Sequence, residues 1–345
     1  MYTLALLPLL FAQEAVDGLD AVARRTLREH KHPGLVVGLL REGKPSVQGF
    51  GRVSLDRPEA PDGRTIYEIG SITKTFTAAL LAHLAAQGKL ALDDPVARHL
   101  PEGWTMPSRE GAVVTLAHLA SHTSGLPRLP HNLGAKRIDD PYAEYSEARL
   151  RDFLGSHRLG RAPGDKYEYS NLGTGLLGWT LGRIDGRGYE AALAERVLVP
   201  LQLEDTRVTL DEARRARLAP GYADGRPVRN WDLATLAGAG ALKSTADDLL
   251  RWLAANLGEA PGELKRILAV THEKRAAAGG PAWVGLGWHV SPLGDRTMVW
   301  HNGGTGGYRS FAGFVPETRT AAVVLANSTG DVDAAGVAIL ELLQR

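Results

Sequence analysis

Strand-like sequence lies at the two ends of this 345-residue chain and helix-like sequence in its middle, and that distribution limits the fold more than any other feature. Gly34-Leu35-Val36-Val37-Gly38-Leu39-Leu40 and Pro45-Ser46-Val47-Gln48-Gly49-Phe50-Gly51 flank Arg41-Glu42-Gly43-Lys44, a pattern that reads as a hairpin. Helical periodicity dominates from Ser71 to about Arg196. Strand patterns return at residues 284–290, 297–300, 310–315 and 320–326, before a closing helix over 332–343. A further helix is expected over 15–28, where Val16, Leu19, Val22 and Leu27 keep helical spacing. One sheet must then be built from both ends of the chain, with the terminal helices over one face and a helical domain inserted. The expected division is a sheet domain from residues 13–66 and 240–345 and a helical domain from 67–239.

Forty basic and 39 acidic residues leave a net charge of +1, with no basic run longer than Arg24-Arg25 or Arg214-Arg215. Nucleic acid and anionic membrane surfaces are therefore not expected partners. The chain has no cysteine, which excludes disulfides and thiolate chemistry. Residues 4–12 form an apolar stretch too short to span a bilayer but long enough for the core of a signal peptide, with a cut after Ala12. Export is the expectation, although the stretch lacks a basic leader, and the chain is expected to hold no stable membrane span.

Three polar groupings stand out from this background. Ser71-Ile72-Thr73-Lys74 follows a strand-like segment and opens a helix-like one, which places Ser71 at a helix N-terminus with its free amides. Side chains at i and i+3 share a helix face, so the Lys74 amine can reach the Ser71 hydroxyl. By itself this spacing fits a solvated helix face as well as it fits a nucleophile. The second grouping is Tyr169-Ser170-Asn171, after the turn Pro163-Gly164-Asp165. In an extended segment Tyr169 and Asn171 lie on one side, where Tyr169 could carry a proton and Asn171 could orient a substrate carbonyl or Lys74. Simple packing under a loop is the commoner fate of a lone tyrosine.

The third grouping is His301-Asn302-Gly303-Gly304-Thr305-Gly306-Gly307, whose glycines spoil a strand interior and let a backbone or ligand approach. Elsewhere, His118 and His122 stand four apart like a helical zinc pair, but Leu119 replaces the glutamate of that motif and no third ligand presents itself. No metal or cofactor is expected. His122 reads as a capping or packing residue of a helix ending at Gly125. Residues 127–140, rich in proline, glycine and charge, form the longest expected loop and a candidate rim for a cleft.

Taken in order, the three groupings resemble the signatures of the serine β-lactamase and penicillin-binding-protein family, whose first box is Ser-x-x-Lys. The nearest branch looks like class C β-lactamases, D-Ala-D-Ala carboxypeptidases and related carboxylesterases, with Tyr-x-Asn as second box and Lys-Thr-Gly or His-x-Gly as third. Gln87-Gly88-Lys89-Leu90, Leu92-Asp93-Asp94-Pro95, residues 119–127 and residues 244–249 match the same family, so the resemblance runs from about Pro33 to Ala326. It implies an α+β fold of the β-lactamase/transpeptidase type, an antiparallel sheet flanked by helices beside an all-helical domain.

The resemblance also implies roles. Ser71 would form an acyl-enzyme, Lys74 and Tyr169 would share the proton relay, and the amides of Ser71 and Gly304 would hold the oxyanion, at about 3 kcal/mol per donor. Asn171, Gly303 and His301 would bind substrate. His301 stands where many β-lactamases carry a lysine that anchors the substrate carboxylate, and Arg309 is a candidate for supplying that charge instead. The deacylating glutamate of class A enzymes has no counterpart here, so deacylation would fall to Tyr169 and Lys74. The implied substrate is a small molecule or short peptide: a β-lactam, a D-amino-acid peptide or a small ester. A penicillin-binding sensor that is acylated but turns over slowly is the alternative.

Overall fold

A computed structural model describes residues 7–134 and 139–345. Its strands are β1 (Gly34–Arg41), β2 (Lys44–Gly51), β3 (Tyr67–Glu68), β4 (Gly221–Ala223), β5 (Arg226–Val228), β6 (Lys243–Ser244), β7 (Ala276–Gly279), β8 (Ala282–Val284), β9 (His289–Leu293), β10 (Arg296–Gly304), β11 (Arg309–Val315) and β12 (Thr320–Ala326). The helices are α1 (Leu7–Glu29), α2 (Thr73–Ala86), α3 (Leu116–Ala120), α4 (Glu147–Ser156), α5 (Asn171–Asp185), α6 (Tyr189–Leu193), α7 (Glu212–Arg215), α8 (Ala246–Ala254), α9 (Leu264–Thr271) and α10 (Asp333–Leu342).

Eight strands form one antiparallel sheet in the order β2-β1-β12-β11-β10-β9-β8-β7. The two ends of the chain join at β1 and β12, in register from Leu35↔Ala326 to Leu40↔Ala321. Every residue of β12 is buried, because both faces of the sheet are covered there. On one face Leu19 and Ala23 of α1 and Ile339 and Leu340 of α10 share a core with Val37, Phe311 and Val324. On the other, Leu250 and Trp252 of α8 pack with Val36, Val323 and Leu325. Trp252 also stacks on Phe76 of α2 at 4.1 Å between ring centroids, which ties the buried helix α2 to the sheet. The expected α+β architecture, with terminal helices on one face, is the one observed.

Several local expectations are corrected. Residues 284–290 are two strands and not one: the backbone turns at Gly285, whose amide donates to Trp288 O at 2.8 Å. Gly287 there adopts φ +71°, and a Cβ on it would sit 2.5 Å from Lys74 O, so the turn exists to let α2 approach. The glycines after His301 do not end the strand early, since β10 runs through Gly304 in register with Arg309 of β11. Helix α1 is longer than the expected 15–28. Of the apolar stretch 4–12, residues 4–6 lie outside the described residues and 7–12 fall within α1. No helix among the described residues is long and apolar enough to cross a membrane.

Candidate active site

Ser71 occupies a 3₁₀ turn, Gly70–Ile72, that runs straight into α2 and delivers Lys74 to the same face. Lys74 is fully buried, and its Nζ lies 3.0 Å from Ser71 Oγ, 2.9 Å from Asn171 Oδ1 and 2.6 Å from Ala239 O. Burial first, and the Arg128 guanidinium second, hold its pKa well below the usual lysine range. A neutral amine has two N–H donors and one lone pair. In that form Asn171 Oδ1 and Ala239 O would take the two donors and leave the lone pair facing the Ser71 hydroxyl.

The second grouping is fixed by the segment between α3 and α5. Ser170 caps α5, accepting from Gly173 N at 2.8 Å and donating its hydroxyl to Pro127 O at 2.6 Å. Its backbone amide donates to His122 Nδ1 at 3.1 Å. His122 is buried at φ +57°, and its ring packs 4.5 Å from that of Tyr169. That left-handed residue also ends the helix sooner than expected, at Ala120 and not Gly125. His118 caps α3 instead, with Nδ1 accepting from Thr115 N, so the two histidines serve different amides. Burial raises the Tyr169 pKa, while its hydrogen bond to Ser71 and the nearby Arg128 charge oppose the rise. Asn171 Nδ2 donates to Tyr142 Oη at 3.0 Å, which turns its carbonyl toward Lys74. Asn171 Oδ1 thus accepts from Lys74, one of the two partners that the sequence leaves open to it.

β10 forms the opposite wall. β9 pairs with it only as far as Trp300↔His289, so residues 301–304 have a partner on the β11 side alone. Thr305 N donates to Tyr308 O, closing the hairpin, and antiparallel alternation then turns the Gly304 amide away from β11 toward the open edge. The start of α2 fills that edge: a Cβ on Gly70 would lie 2.6 Å from Gly304 N. A Cβ on Gly303 would lie 2.0 Å from Ile69 O and 2.4 Å from Ser310 Oγ, which itself donates to Ile69 O at 2.9 Å. Gly303→Ala is therefore expected to cost ~1–3 kcal/mol in urea unfolding and to lower hydrolysis by pushing Gly304 away from Ser71. An unchanged urea midpoint and rate would mean that the contact is slack.

Ser71, Tyr169, Asn171, Gly303, Gly304 and Arg309 line one cleft of about 640 Å³. His301 does not. It is 1% exposed, with its ring 6.2 Å from that of Tyr169 and 4.9 Å from that of His289. Strand alternation sends its side chain to the same face as Gly303, inward, and Asn302 to the other. Burial keeps its pKa well below the usual histidine range, and Nδ1 is 2.5 Å from Asn302 O. His301, expected to meet substrate, stands here as a buried ring behind Tyr169, off the lining of the cleft. Arg309 lines the cleft but donates to Thr305 O and Tyr308 O, at 3.1 and 2.9 Å, and faces Asp331 and Asp333.

The expected rim over 127–140 holds at Arg128 and Leu129, and the cleft continues past it to Pro141 and Tyr142; residues 135–138 lie outside the described ones. Sequence reasoning missed Arg128, Tyr142, Trp231 and the Ala239 carbonyl. Arg128 follows Leu126-Pro127 directly and was within reach of that reasoning, whereas a backbone acceptor such as Ala239 O leaves no trace in side-chain identity.

Residues 19–344 match the family model described as Beta-lactamase. A β-lactamase of Escherichia coli K12 is 28% identical over 91% of this chain and 90% of that protein. The D-alanyl-D-alanine-carboxypeptidase/endopeptidase AmpH of the same organism is 26% identical, over 92% of this chain and 85% of that protein. Among solved structures, a β-lactamase/D-alanine carboxypeptidase from Yersinia pestis superposes with a TM-score of 0.85 at 25% identity, covering 97% of this chain and 99% of that one. A family match over nearly the whole chain, on a fold that brings the three groupings to one cleft, assigns the chain to the β-lactamase family of serine hydrolases.

Proposed function

We propose that the chain hydrolyses an ester or amide through an acyl-enzyme on Ser71, its substrate a β-lactam, a D-amino-acid peptide or a small ester. The observation that carries the reading is the Lys74 amine, desolvated and aimed at Ser71 Oγ by two other acceptors. In acylation Lys74 takes the Ser71 proton as Oγ attacks the carbonyl carbon. The oxyanion sits between the Ser71 amide and the outward-turned Gly304 amide. Tyr169, a phenol held protonated by its raised pKa, gives its proton to the leaving group as the tetrahedral intermediate collapses. In deacylation the resulting phenolate takes a proton from the attacking water, and Lys74 returns its proton to Ser71 Oγ. His301, a neutral buried ring, stands where many β-lactamases present an ammonium, so a substrate carboxylate would have to be met by another group of the cleft.

A fluorophosphonate probe tests the nucleophile. Mass spectrometry is expected to find a single adduct on the peptide that contains Ser71, absent from Ser71→Ala. Labelling elsewhere, or a Ser71→Ala variant that still hydrolyses esters, overturns the mechanism. Labelling together with a product burst and no steady state on every ester and peptide tried would instead favour the slowly turning-over sensor.

A further inference from the structure

We propose that Arg128 is the anion anchor of this cleft, so that the acyl donors it selects carry a carboxylate; the proposal rests on the acyl-enzyme reading above. Several groups at or behind the cleft could carry the positive charge, and all but one are already engaged. His301 is neutral and shielded. Lys74 is buried, with its three contacts made inside the protein. Arg309 spends its donors on Thr305 O and Tyr308 O, and its charge is answered by Asp331 and Asp333, which line the same end of the cleft.

Arg128 differs on each count. It is exposed and lines the cleft, and its guanidinium makes no ion pair or hydrogen bond among the described residues. Its Cζ stands 5.0 Å from the centroid of the Tyr169 ring, a cation–π contact that holds the group beside the reacting atoms. Its backbone is pinned to the turn that fixes the second box, since Arg128 O accepts from Asn171 N at 3.0 Å and Leu172 N at 3.2 Å. The exposed side chain therefore projects from a fixed base into the cleft, with its Cζ over an aromatic ring and its donors free among the described residues. A guanidinium so placed matches a carboxylate with two parallel hydrogen bonds. Its charge also reaches the catalytic pair, favouring a neutral Lys74 and opposing the rise in the Tyr169 pKa.

The test compares two esters with one leaving group: 4-nitrophenyl valerate, and mono-4-nitrophenyl glutarate, in which a carboxylate replaces the terminal methyl. The readout is the ratio of their kcat/KM values, corrected for the rate seen with Ser71→Ala. The ratio cancels any effect of Arg128 on Lys74 and Tyr169 that both substrates share. Arg128→Gln is expected to lower the glutarate-to-valerate ratio about tenfold or more, and Arg128→Lys, which keeps the charge but not the two-pronged fork, to lower it by less. Added salt is expected to lower the wild-type ratio and to leave that of Arg128→Gln nearly flat. A ratio unmoved by Arg128→Gln overturns the proposal, and a fall seen only in Arg309→Gln assigns the anchor there. Failure of the underlying reading looks different, because Ser71→Ala would then hydrolyse both esters as fast as the wild type.

Discussion

Lys74→Met is expected to lower kcat for ester hydrolysis by about 10²–10⁴-fold, the span of a lost general base, and to flatten one component of the protein's stability against pH. Methionine keeps the length and most of the volume of the side chain, so the packing of α2 against Trp252 through Phe76 survives. The pH effect follows from the depressed lysine pKa. Unfolded, Lys74 binds its proton up to about pH 10.4. Folded, it has lost that proton at a much lower pH. Through the window between those limits the unfolded chain holds more protons, so stability rises with pH, and the penalty for burying Lys74 vanishes only above about 10.4. The unfolding free energy of wild type minus that of Lys74→Met should then climb by about 1.4 kcal/mol per pH unit between about pH 8 and 10. The acceptors Asn171 Oδ1 and Ala239 O, stranded by the substitution, add a cost that does not vary with pH and drops out of the slope. Urea unfolding of both proteins across that range measures it. A flat difference would mean that Lys74 stays protonated in the fold, and would remove it as the base.

Part of this arrangement was legible because its geometry is local. Ser71 and Lys74 are one helical step apart and Tyr169 and Asn171 flank the residue that caps α5, whereas the meeting of Lys74 with Asn171, 97 residues on, was implied only by the family resemblance. The sheet was legible from the strand patterns at both ends of the chain, which pair at β1 and β12. What escaped has non-local causes. Gly287 breaks a run that reads as a single strand, because the carbonyl of Lys74, more than two hundred residues earlier, comes too close for any Cβ. The glycines of β10 read as a ruined strand until Ile69 and Gly70 are seen packed against them. His301 shows the same limit from the other side. Alternation says that it and Asn302 face opposite ways, but only the neighbours of β10 decide which way is out.

Tyr169→Phe separates a proton carrier from a packed ring, because it removes the hydroxyl and leaves the contacts with His122, His301 and Arg128 in place. In the mechanism above the hydroxyl is needed twice, to protonate the leaving group and then, as phenolate, to activate water. 4-Nitrophenolate departs without a proton, so acylation by a nitrophenyl ester should remain fast in the variant; in the wild type Tyr169 then releases its proton to solvent beside the protonated Lys74 and activates water, and without that hydroxyl deacylation stalls. The expected trace is a burst of nitrophenolate equal to the enzyme concentration, then a steady state slower than the wild type by about 10²–10⁴-fold. A D-alanyl peptide has a leaving amine that must be protonated, and with it the same variant should show the loss in acylation and no burst. The pairing of outcomes matters more than either rate: a merely distorted site slows both substrates at the first step and gives a burst with neither. Loss below about threefold on both would place Tyr169 in the core, leaving Lys74 to carry both protons and Arg128 to act on substrate alone.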